Sequence, residues 1–103
     1  DPVEAVKLLG KYIVHTHAKD GKMLCYRDPE IVYGIRKDPL VTGDSFIEVP
    51  LGEGSVDWVK YLAALEEIGY KGFLTIEREC GDTPYDDIKL AYDFLTEILK
   101  KIY

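Results

Sequence analysis

Two short segments limit what this chain can become: Ile13-Val14-His15-Thr16-His17-Ala18-Lys19-Asp20 and Phe73-Leu74-Thr75-Ile76-Glu77. Each reads as a mostly apolar strand ending in side chains of the kind that bind metals. A stretch of helical period lies between them. Strands that are apolar on both faces belong to parallel sheets covered on both sides. Parallel neighbours joined through a helix form a right-handed crossover.

The rest of the chain fits around that unit. Pro2 suits a first helical position, and Val3, Val6 and Leu9 keep helical spacing up to Gly10, which predicts a helix over 2–9. A strand over 12–18 follows. Residues 20–54 are punctuated by Asp20-Gly21, Asp28-Pro29, Asp38-Pro39, Gly43-Asp44 and Pro50, which predicts a long connection with brief extended pieces at most, one of them over 45–49. Ser55 is the expected N-cap of a helix running to Ile68, where Val59, Leu62, Ala63, Leu65 and Ile68 form an apolar face before Gly69. The second strand covers 72–77. Thr83 as cap and Pro84 at the first position then open a helix whose apolar period runs from Ile88 to Ile102.

The order helix, strand, long loop, helix, strand, helix gives an α/β fold with one structural unit over 1–103. It corresponds to about one quarter of a (β/α)8 TIM barrel, and such barrels carry polar ligands at the C-terminal tips of their strands. The chain is far shorter than the roughly 250 residues a whole barrel takes. An isolated two-stranded sheet is marginal in water. The open edges therefore call for N-terminal barrel strands outside this sequence or for self-association, in which four copies would supply eight strands.

A formal net charge of -6 and a pI near 4.8, with no basic stripe, argue against nucleic acid as a partner. No apolar run approaches membrane-spanning length and no signal peptide opens the chain, so a soluble, cytoplasmic protein is expected. Cys25 and Cys80 follow no zinc or C-x-x-C spacing, which fits reduced thiols.

Side chains alternate along a strand, so His15 and His17 share one face, as do Phe73, Thr75 and Glu77. Side by side, the strands bring His17 and Glu77 together at their tips. Imidazole with carboxylate suits Mn²⁺, Co²⁺, Zn²⁺ or Mg²⁺, the imidazole favouring the first three. The same two residues also fit a satisfied rim histidine and the solvated end of a strand. His15, one pleat deeper, is expected to be a buried, hydrogen-bonded histidine, or else to orient a metal ligand from behind. Lys19 and Asp20 stand at the loop mouth, where they would contact substrate or simply face solvent. Pro50-Leu51-Gly52-Glu53-Gly54 is compatible with backbone N–H groups cradling an oxyanion and with a plain tight turn before the helix. Tyr26, Arg27, Tyr33 and Arg36 line a substrate mouth or anchor the loop, and Trp58 packs beneath it.

Taken in order, His15-Thr16-His17-Ala18-Lys19-Asp20, the run from Glu48 to Trp58, and the run from Leu65 to Glu77 resemble the sugar phosphate isomerase/epimerase superfamily. These are xylose isomerase-like TIM barrels that include tagatose 3-epimerase and inosose dehydratase relatives. The resemblance implies the C-terminal part of the barrel, with His17 ending strand seven and Glu77 ending strand eight. It implies that both bind one divalent metal together with ligands from earlier strands, and that Glu77 also serves as one of two acid/base carboxylates. Proton transfer next to a carbonyl, on a sugar, sugar phosphate or polyol, is the implied chemistry. By itself a piece of such a barrel is expected to be inactive. The His-Ala-Lys-Asp form is closer to inosose-dehydratase-like branches, where Lys19 is expected to touch substrate. That leaves a lyase, or a non-catalytic binding or structural module of the same fold, as alternatives. Met23 stands where epimerases with a short connection carry an arginine.

Overall fold

The computed structural model describes residues 1–103. Helix α1 spans Pro2–Leu9, begun by Asp1, whose carboxylate accepts the Val3 N–H at 2.8 Å, and closed at Gly10, where φ is 49°. A 3₁₀ turn over Gly10–Tyr12 leads towards β1, Thr16–Ala18. Next come β2 (Asp20–Met23), a short helix α2 (Pro29–Val32) and β3 (Phe46–Val49). Helix α3 (Trp58–Glu67), β4 (Leu74–Ile76) and the long α4 (Pro84–Ile102) complete the chain.

Two separate two-stranded sheets result. Strand β1 pairs with β4 in parallel, with His17 opposite Thr75 and Ala18 opposite Ile76. The Glu77 N–H extends that ladder by donating to the Ala18 carbonyl at 3.0 Å. Strands β2 and β3 form an antiparallel ribbon with Asp20 opposite Val49 and Met23 opposite Phe46. The mixed α/β architecture with its parallel pair is that of part of a barrel wall, as the element order predicts.

The core lies on one side of the parallel pair. Val6, Ala18, Leu51, Trp58, Leu62, Ala64, Leu65, Ala91 and Leu95 are buried there, where α1, α3 and α4 pack together behind the strands. Trp58 meets Tyr61 and Phe94 edge-on, at centroid distances of 5.6 and 6.5 Å. The other face of the pair, which carries His15, His17, Phe73 and Thr75, is open. A radius of gyration of 15.7 Å exceeds the about 13 Å usual for a compact chain of this length, as a slice of wall would.

Several expectations need correction. The first strand is shorter than 12–18: β4 offers only three residues to pair with, so Tyr12, Val14 and His15 are left exposed. His15 is consequently not buried. The long connection holds a strand that its sequence did not announce, because Asp20-Gly21-Lys22-Met23 has little strand propensity and pairs with residues beyond a long loop. Helix α3 is capped by Asp57, whose carboxylate accepts the Lys60 N–H at 3.1 Å, and not by Ser55, whose N–H is used by the Gly21 carbonyl. Thr83 does occupy the cap position of α4, but its hydroxyl bonds Asp87 instead of a backbone N–H. Gly69, at φ 75°, ends α3 as expected.

Candidate metal and proton-transfer site

The parallel register places the site. His17 points to the open face from the middle of β1, and Glu77 follows β4 one step beyond the last paired residue. His17 Nδ1 lies 2.7 Å from Glu77 Oε2. An ionised carboxylate only accepts hydrogen bonds, so the imidazole donates from Nδ1. His15 stands edge-on to His17 at 5.1 Å, with its Nε2 3.4 Å from the Thr75 hydroxyl. It supports the His17 ring from the exposed face.

Lys19 reaches the same carboxylate from the other side. Its Nζ is 3.4 Å from Glu77 Oε1, 3.0 Å from Glu48 Oε1 and 2.6 Å from Glu79 Oε2. The Glu79 hydrogen bond above all, helped by Glu48 and Glu77 against the loss of water, raises the Lys19 ammonium above its ordinary value. Lys19 is therefore a fixed cation, unsuited to take a proton; its three N–H donors are taken up by carboxylates, so it would hold a substrate oxygen by releasing one of them. Glu77 is held below the ordinary carboxylate range, chiefly by His17, with Lys19 adding to the effect.

Two residues that sequence reasoning left out of the site stand directly behind it. Burial pushes Glu48 up, but hydrogen bonds from Lys19, Arg78 and Cys80 outweigh that and bring it down to about 2. Its Oε2 accepts from Arg78 Nη1 at 2.7 Å, from the Glu79 N–H at 3.2 Å and from the Cys80 thiol at 3.4 Å. Arg78 Nε in turn donates to Asp87 at 2.8 Å in the first turn of α4. The only signal in the sequence was parity: Arg78 follows Glu77 and so faces away from it, towards the ribbon.

Asp20 turns inward, away from the loop mouth. It is 3% exposed and accepts five N–H groups: Gly21 at 2.9 Å, Gly52 at 3.0 Å, Gly54 at 3.2 Å, Val56 at 3.3 Å and the Trp58 indole at 2.9 Å. The glycine loop is thus a cradle for an anion, and the anion is an internal carboxylate. A Cβ on Gly54 would collide with Asp20 Oδ1. Arg27 and Arg36 anchor the long loop, Arg27 donating to the Thr42 and Gly43 carbonyls and Arg36 pairing with Asp28 and Glu30. Tyr26 and Tyr33 are exposed. Cys25 and Cys80 are both unpaired.

His17 Nδ1 and Glu77 Oε2 converge on one point, and a cation would take the place of the proton they share. Imidazole nitrogen with carboxylate oxygen is the mixed set that Mn²⁺, Co²⁺ and Zn²⁺ accept. No group of three or more His, Cys, Asp or Glu is arranged to hold a metal within this chain. The residues fit as two ligands of a larger set.

The family described as xylose isomerase-like TIM barrel matches residues 1–98. A crystal structure of a xylose isomerase domain protein from Planctomyces limnophilus is 35% identical, superposes with a TM-score of 0.71 and covers 99% of this chain. This chain spans 33% of that one. No curated protein matches it. No helix is long and apolar enough to cross a membrane. With a family match over nearly its whole length and the tip-to-tip strand geometry just described, the chain belongs to the xylose isomerase-like TIM barrel family.

Proposed function

We propose that this chain supplies two metal ligands and one acid/base carboxylate to a sugar, sugar phosphate or polyol isomerase or epimerase that moves a proton next to a carbonyl. The observation that carries the reading is the 2.7 Å approach of His17 Nδ1 to Glu77 Oε2 at the ends of neighbouring parallel strands. The remaining ligands would come from barrel strands outside this chain or from another copy of it.

A bound divalent cation would act as a Lewis acid towards the substrate's oxygens. The chain's own residues do the rest. Glu77, ionised at neutral pH, accepts the proton from the carbon beside the carbonyl and returns it. Lys19, a permanent cation at the loop mouth, steadies the negative charge that develops on oxygen. Lys19 holds the Glu77 oxygen that faces away from His17, which limits rotation of the carboxylate between turns of the reaction. A dehydration is the second reading: Glu77 takes the proton from carbon and passes it to the departing hydroxyl, which leaves as water with its oxygen beside the charged Lys19.

Titration of Mn²⁺ and Zn²⁺ into wild type, His17→Ala and Glu77→Gln tests the proposal. Two ligands predict weak binding by wild type and at least about tenfold weaker binding by either variant, equivalent to about 1.4 kcal/mol. Equal affinity in all three would remove the metal reading and leave a binding or structural module.

A further inference from the structure

Lys19 has a long, flexible side chain that is about one-third exposed, and it stands between β1 and β2, in neither strand. Three carboxylates surround its ammonium, and they differ in character. Glu79 is 67% exposed and pairs with no other cation. Glu77 is itself held by His17. Glu48 alone is both nearly enclosed, at 11% exposure, and fixed independently of Lys19.

That fixation has a source. Arg78, at 9% exposure, uses two different nitrogens of its planar guanidinium at once, Nη1 on Glu48 and Nε on Asp87. Asp87 sits in the first turn of α4, one of the helices that enclose the core. A line of charged hydrogen bonds thus runs from the start of α4 through Arg78 to β3 and from Glu48 to Lys19. It ends on the Glu77 oxygen that His17 does not use.

We infer that Glu48, gripped by Arg78, is a positioning residue that keeps the Lys19 ammonium on Glu77. The inference rests on the proposed role of Glu77 but not on metal binding itself. Glu48 touches no reacting atom; it acts through Lys19. The ribbon β2–β3 therefore has a task at the site. It carries the residue that sets the second partner of the base.

The test reads the lysine directly. In the intact protein with ¹⁵N-labelled lysine, an ammonium held by carboxylates exchanges its protons slowly enough to give a resolved ¹H–¹⁵N signal at low temperature, and Lys19→Arg identifies it. Wild type should show the Lys19 signal. Glu48→Gln and Arg78→Lys should both lose it, since lysine cannot span Glu48 and Asp87 together. Glu79→Gln should keep it, because Glu79 is the exposed partner. A Lys19 signal that survives in Glu48→Gln overturns the inference, as does its absence from wild type, and so does its loss in Glu79→Gln alone. Far-UV circular dichroism and melting of each variant show whether the fold persists. If Glu48→Gln unfolds, Arg78→Lys and Asp87→Asn carry the test from the other end of the line, and retention of the signal in both is refutation. Zn²⁺ titration of His17→Ala separates the two ideas. Unchanged Zn²⁺ affinity there defeats the metal reading while leaving the lysine signal to decide this one.

Discussion

Removing the Asp20 carboxylate should be the most damaging single change in the chain. Five N–H groups converge on it, and a hydrogen bond to a charged group contributes about 1.5–3 kcal/mol. Five such bonds added without discount would match the whole stability of a domain of this size, about 5–15 kcal/mol, so they cannot be independent. Four of the donors are backbone groups in partly buried positions that water can reach after modest movement. The Trp58 indole, in a residue 4% exposed, has no such escape. Counting the indole in full and the backbone donors at a fraction gives about 3–5 kcal/mol for Asp20→Ala. At about 4–8 °C per kcal/mol, melting should fall by roughly 12–40 °C. Asp20→Asn, which keeps an acceptor oxygen but turns an NH₂ towards the N–H groups, should lose about 2–3 kcal/mol.

Urea unfolding followed by circular dichroism and by Trp58 fluorescence measures the loss. A double-mutant cycle with Trp58→Phe isolates the indole bond, and a coupling of about 1–2 kcal/mol is expected. A melting point for Asp20→Ala within about 2 °C of wild type would refute the reasoning, since that is less than one backbone bond. So would a coupling of zero.

Two further outcomes are expected. The Glu48 carboxylate ionises at about 2 in the folded protein against 4.5 ordinarily, so the unfolded chain binds the proton more readily. Its contribution is therefore complete above about pH 4.5 and disappears as pH falls towards 2; acid unfolding of Glu48→Gln should lack that part of the slope, and superimposable curves would count against the Lys19–Glu48–Arg78 arrangement. Asp57→Ala should cost about 1 kcal/mol through loss of the α3 cap whereas Ser55→Ala should cost a few tenths, and thermal melts giving the reverse order would show the cap to be misplaced.

The parts of the fold that were legible in the sequence are those whose signals are local. Helices α1, α3 and α4 follow from apolar period and from Pro2, Gly69 and Pro84, and the parallel pair follows from two apolar runs around a helix. Strand parity was enough to put His17 beside Glu77. What escaped depends on partners distant in the chain. Strand β2 exists because β3 returns to it from 23 or more positions away, not because Asp20-Gly21 favours extension. Asp20 looked like a residue of the loop mouth, but strand alternation sends Lys19 to the site and Asp20 into the glycine loop, a direction that only the ribbon's position reveals. His15 was expected to be enclosed because burial was inferred from its own strand, whereas enclosure requires neighbouring strands on both flanks. Ser55 and Asp57 are equally good caps by type; the helix starts at Trp58, which puts Asp57 and not Ser55 at the cap position.

The loop from Gly52 to Val56 has the form that elsewhere receives the phosphate of a ligand, yet its donors are committed to a carboxylate joined to them by the chain itself. A tethered partner of this kind acts at an effective concentration of millimolar or more. It is also always present, whereas a free anion comes and goes. A phosphorylated substrate would have to displace Asp20 to use these N–H groups and would leave a charge stranded beside the Trp58 indole in doing so. The loop is thus saturated from within and insensitive to what the site holds. It behaves as a rigid bracket, with every N–H from Gly52 to Val56 already committed inside the chain.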